Sequence, residues 1–115
     1  MNRDKHSKSS ERKWEQELID DYYDHRWREI LEPFYEKFQL WDAGELEHAD
    51  MDRAIHETHK QTQQVYGSFT YNRGMLVNMI QWDRAWFEAW LKDHEPPPGV
   101  ELVPYGPPEG EEEAE

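Results

Sequence analysis

Residues 46–93 read LEHADMDRAIHETHKQTQQVYGSFTYNRGMLVNMIQWDRAWFEAWLKD, and whether they form one helix or several decides the fold. Met51, Ile55, Thr58, Thr62, Val65, Phe69, Asn72, Leu76, Ile80, Asp83, Phe87 and Leu91 follow one another at almost regularly alternating spacings of four and three. That is the period of one face of an α-helix, and its phase is kept across residues 67–74. Against continuity, Gly67, Ser68, Thr70, Tyr71, Asn72 and Gly74 crowd weak helix formers into two turns. The kept phase favours one helix over about residues 46–93 with a bend at 67–74. A true break there, giving three helices, is the alternative.

Working outward, the stretch before it has the same period. Trp14, Leu18, Ile19, Tyr22, Tyr23, Trp27, Ile30, Leu31, Phe34, Phe38 and Trp41 lie mostly three or four apart, on one broad face. They predict a helix over about residues 11–41, opened by Ser10 and Glu11 and kinked near residues 29–33, where Pro33 removes a backbone donor. Ala43-Gly44 supplies the turn. The fold class is therefore all-α, a long helical hairpin over residues 11–94. It is flanked by a disordered polar arm, residues 1–10, and a Pro/Glu-rich disordered tail, residues 95–115, opened by Pro96, Pro97, Pro98 and Gly99. Tyr23, Trp27, Phe34, Ile55, Phe69, Leu76 and Phe87 are the expected core. An unbroken second helix would outrun the first by about four turns, roughly 20 Å, and leave a Trp-rich end bare. Dimerisation into a four-helix bundle would cover it.

Composition narrows the function. The 115 residues hold 26 acidic and 13 basic side chains, a net charge of −13, and eight of the acids fall in residues 93–115 with no base among them. No basic stripe exists to neutralise phosphates, so nucleic acid is not an expected partner. The chain has no cysteine, which excludes disulfides, thiolate-bound metal and a thiol nucleophile. No apolar run approaches the roughly 18 residues of a membrane span, so a cytoplasmic protein without membrane contact is expected. Neither a Gly-x-Ser-x-Gly elbow nor a glycine-rich phosphate loop occurs, and no cofactor is implied.

Three constellations remain. Asp83 falls within the apolar arc of a continuous second helix, and Arg26 does so on the first between Tyr22 and Ile30, so a buried Arg26–Asp83 ion pair, or one of them paired across a dimer interface, is the expected reading, with a ligand-facing or proton-handling carboxylate as the functional alternative. His48, Asp52, His56 and His59 run down one side of a helix at spacings of four, four and three, a chemically suitable but weak metal-ligand pattern. A solvated polar flank is the commoner outcome of such a run. Trp82, Trp86 and Trp90, preceded by Met75 and Met79, form an aromatic stripe. Core packing is the default for helical spacing, and dimer or partner contact through Met79, Trp82, Trp86 and Trp90 is the functional reading, because Trp is enriched in interface hot spots.

The stretch Val65-Tyr66-Gly67-Ser68-Phe69-Thr70-Tyr71-Asn72-Arg73-Gly74-Met75-Leu76-Val77, with Arg28-Glu29-Ile30 upstream, resembles the fluorescence recovery protein family over roughly residues 22–80. Its members are small all-helical dimers that detach the orange carotenoid protein from its active state. Where that family has a Trp followed by a His-Asp pair, this chain has Ile55-His56-Glu57, and in place of a Lys-Arg pair it has Lys60-Gln61-Thr62. Those are the family's partner contacts, so the resemblance implies architecture alone: a dimeric helical hairpin with a head, acting by binding. The resulting expectation is a small non-enzymatic interaction or regulatory protein, with homodimerisation and a protein partner. A metal-binding bundle is the rival.

Overall fold

A computed structural model describes residues 2–102, with side chains from Lys8 onward. The described residues hold four α-helices and no strand: α1 (Asn2–Asp42), α2 (His48–Ser68), α3 (Arg73–Trp82) and α4 (Arg84–Leu91). The helical class expected from the sequence is thus observed. The single helix over residues 46–93 is not. It breaks at residues 69–72 and again at Asp83. At the other end α1 begins at Asn2, so residues 2–10, expected to be a disordered arm, continue the helix, and α1 also runs on through Pro33. Of the tail, residues 95–102 are described and carry no helix, while residues 103–115 lie outside the described part.

Both breaks have local causes. The Phe69 amide donates to Val65 O and Tyr66 O, and that of Thr70 to Gly67 O, so the last turn of α2 tightens and ends among the weak helix formers. Asn72 then adopts an extended backbone, and its Oδ1 accepts from the Met75 amide at 2.9 Å, capping α3. At Asp83 the backbone leaves the helical region, with ψ 76°. The Asp83 amide still donates to Ile80 O and the Phe87 amide to Asp83 O, so α4 starts at once in a new direction.

The chain divides into two compact units, to both of which α1 contributes. One comprises residues up to Asp21 together with those from Asn72. Its core is Trp14, Leu18, Leu76, Val77, Ile80, Phe87 and Trp90, with Gln81 buried beside them. Trp14 meets Phe87 and Trp90 edge-on at centroid distances of 6.4 and 5.4 Å. Arg73 clasps the first helix through Glu15 Oε1, Gln16 Oε1 and Arg12 O. Phe87 and Trp90 of the Trp-rich end are therefore covered within the chain, which weakens the reason for expecting a dimer there.

Residues Tyr22–Tyr71 form the other unit, the second half of α1 folded back on α2. A Schellman turn joins them: Gly44, at φ 80°, donates to Trp41 O, and Glu45 donates to Leu40 O. Phe69 packs on Tyr23 at 4.7 Å, Ile30 and Phe34 share a groove with Ala54 and Thr58, and Trp41 donates to His48 Nδ1 at 2.9 Å. Such pairing is antiparallel. Ile30, Met51, Ala54 and Val65 are buried, whereas Tyr23 and Ile55, expected in the core, are exposed.

Removing the Asn72 cap should cost about 1 kcal/mol, as for other side-chain caps. Asn72→Ala is expected to lower the urea midpoint accordingly, and Asn72→Asp, which keeps an acceptor, to lower it less.

Candidate interaction surface

The stripe on α3 and α4 runs from exposed to buried, with Met75 48% exposed. Trp90 is 8% exposed. Its Nε1 donates to Asp21 Oδ2 at 2.8 Å, and its ring lies parallel to His94 at 4.1 Å and to Trp86 at 6.1 Å. The His94 Nδ1–H faces Trp90 O at 2.9 Å, its Nε2 lies 3.8 Å from Asp21 Oδ2, and His94 O accepts from Trp14 Nε1. Met79, Trp82 and Trp86 are half-buried. Trp82 Nε1 is shut off from solvent without a hydrogen-bond partner.

The other sequence candidates separate. Arg26 and Asp83 belong to different units. Arg26 pairs with Glu29 at 2.7 Å with its side chain 40% exposed, so it is not a buried cation, and Asp83 occupies a helix junction instead of an apolar helical arc. His48, Asp52, His56 and His59 are all exposed. His48 accepts from Trp41, and His56 Nε2 lies 3.6 Å from Asp52 Oδ1. Among the described residues no three His, Asp or Glu side chains converge as a metal site would need.

What the sequence did not single out is the outer flank of α1. With about 100° per residue, Trp27, Phe38, Leu31 and Tyr35 fall about 40°, 60°, 80° and 120° round from the line through Tyr23 and Trp41. Ile30 and Phe34, on that line, meet α2. The flank does not: Leu31, Phe38 and Tyr35 are 42%, 44% and 61% exposed. Asp24, Trp27, Arg28, Leu31, Glu32 and Tyr35 line an open cleft of about 640 Å³. Arg28 bridges along it to Asp24 at 2.9 Å and Glu32 at 3.8 Å, and the hydrogen bond and charge of Asp24 raise its pKa above the ordinary guanidinium value. Trp27 Nε1 is buried without an acceptor. The signal that would have found this flank is the width of the α1 arc, since one neighbouring helix covers only part of it.

Compared with protein-family models, curated proteins and solved structures, the chain finds no match. Among the described residues no helix is long and apolar enough to cross a membrane.

The two indoles make opposite predictions. Trp14→Phe removes a donor and leaves His94 O short of a partner, and should lower the melting temperature by several degrees, a loss of about 1–2 kcal/mol. Trp27→Phe removes a donor that has no acceptor, and its melting temperature should stay within a degree or two of the parent or rise.

Proposed function

We propose that this protein is a small non-enzymatic interaction protein that pairs with a second copy of itself and binds a protein partner. One observation carries the reading: the apolar arc of α1 is wider than α2 covers, leaving Leu31, Tyr35 and Phe38 in solvent on adjoining turns. A contiguous patch of this kind on a small domain marks an association site more often than an idle surface. Aromatic side chains supply large contact area at low entropic cost, which makes Trp27, Tyr35 and Phe38 suitable anchors. The half-buried Met79, Trp82 and Trp86 form a second, smaller set for the protein partner. The resemblance to the fluorescence recovery protein family supports the same reading, since it implies a dimeric helical hairpin that acts by binding.

Static light scattering at about 50 µM tests the self-association. The expected mass is twice the 14.0 kDa of one chain, and Tyr35→Glu should return it to that of a monomer with helix content unchanged. A monomeric mass for the unaltered chain at that concentration overturns the reading.

A further inference from the structure

The α2 helix has an open flank as well. Ile55 and Tyr66 are 48% and 66% exposed, and both lie about 70–90° round from the Met51, Ala54 and Val65 line, in the same rotational sense as the α1 flank. In an antiparallel pair, equal rotation on both helices leads to the same side of the hairpin. The opposite side agrees, because the groove there is edged by Glu29, Pro33 and Lys37 of α1 and by Glu57 and Gln61 of α2. The hairpin thus has one charged face and one on which exposed apolar side chains stand among Asp24, Arg28, Glu32 and His59.

Size and charge say what covers the apolar face. Allowing about 200 Å² for each large side chain, the exposed fractions of Leu31, Tyr35, Phe38, Ile55 and Tyr66 leave about 500 Å² of surface from these residues. A stable interface needs about 800 Å² per partner, roughly 65% of it apolar in homodimers, so this face is of the size a second copy would bury. The apolar weight lies on α1, with Leu31 at the centre of the run from Asp24 to Phe38. If two copies of α1 cross antiparallel there, Trp27 of each faces Tyr35 of the other, and Arg28 of each falls beside Glu32 of the other. A parallel crossing sends the Arg28 and Glu32 of the two copies to opposite sides of the seam, so Arg28 has no Glu32 of the other copy beside it. Stacking α1 on the second copy's α2 sets Leu31 near His59 instead of on another Leu31, and buries less apolar surface.

We infer that the hairpin dimerises through this face, α1 packing antiparallel on α1 about a two-fold axis through Leu31, with α2 likewise on α2. The inference rests on the self-association proposed above and adds its surface and register.

Because the native chain lacks cysteine, single-Cys variants of the full chain report one position each. Leu31→Cys should cross-link to itself on mild oxidation or with a short bis-maleimide, while Glu36→Cys on the far side of α1 and Ala89→Cys on α4 should not. Arg28→Glu and Glu32→Arg should each weaken the dimer about fivefold, and the double variant should recover it. A dimeric mass with cross-linking at Glu36→Cys or Ala89→Cys but not at Leu31→Cys overturns the face and leaves self-association standing. A monomeric mass removes both.

Discussion

The placement of Trp14 is the constraint on which the first unit depends. One indole from α1 touches Phe87 and Trp90 edge-on and donates to the carbonyl of His94, beyond the end of α4. Edge-to-face rings hold both a distance and an angle, and the directed N–H adds a third restraint. Leu76, Val77 and Ile80 of α3 and Phe87 and Trp90 of α4 are buried in the same unit as Trp14 and Leu18, and the chain turns between the two sets at Asp83. The break in the helix therefore lies between two sets that serve one core. His94 and Asp21 complete the arrangement, since the indole of Trp90 is held by a carboxylate at its Nε1 and by an imidazole on its face.

Helical class was legible because apolar spacing of three and four survives any local change of direction. For the same reason the breaks were not. Val65, Phe69, Asn72 and Leu76 keep phase through a segment that is not helical at Tyr71 and Asn72, and Ile80, Asp83 and Phe87 keep it through a residue that is not helical at all. Periodicity reports which side chains seek burial, not whether the backbone between them is continuous. Composition carried the better signal in the first case: Gly67, Ser68, Thr70 and Asn72 are residues whose side chains or entropy favour caps and turns. At Trp82-Asp83-Arg84 the signal is a single residue, Asp83, which stands at the N-cap of α4 without a side-chain cap bond.

The surroundings of the candidate residues differ from expectation for a related reason. The bareness of Met79, Trp82, Trp86 and Trp90 was expected from a helix that projected beyond its neighbour, and for Trp90 the fold supplies that neighbour through Trp14 and Asp21 of α1. Arg26 and Asp83 were paired because each sat in an apolar arc. Arg26 lies instead at an edge where Glu29 is one turn away, and Asp83 lies off the helix. Exposure depends on what packs opposite, and sequence spacing on one helix does not contain that information.

Aromatic excess and acidic excess fall in different parts of the sequence, and the difference bears on how selective such a surface can be. Eight acids fall in residues 93–115, outside the hairpin sequence, and on the hairpin Glu29, Lys37 and Glu57 edge one side. On the other side Trp27, Leu31, Tyr35, Phe38, Ile55 and Tyr66 are interrupted by Asp24, Arg28 and Glu32, of which Arg28 bonds to Asp24 at 2.9 Å. Net negative charge resists indiscriminate aggregation at long range, where only the total counts. In the proposed dimer, at contact distance, the alternation of Asp24, Arg28 and Glu32 suits an antiparallel copy. A patch edged in this way keeps a sticky surface selective, because an occupant must match the order of charges as well as the shape of the rings.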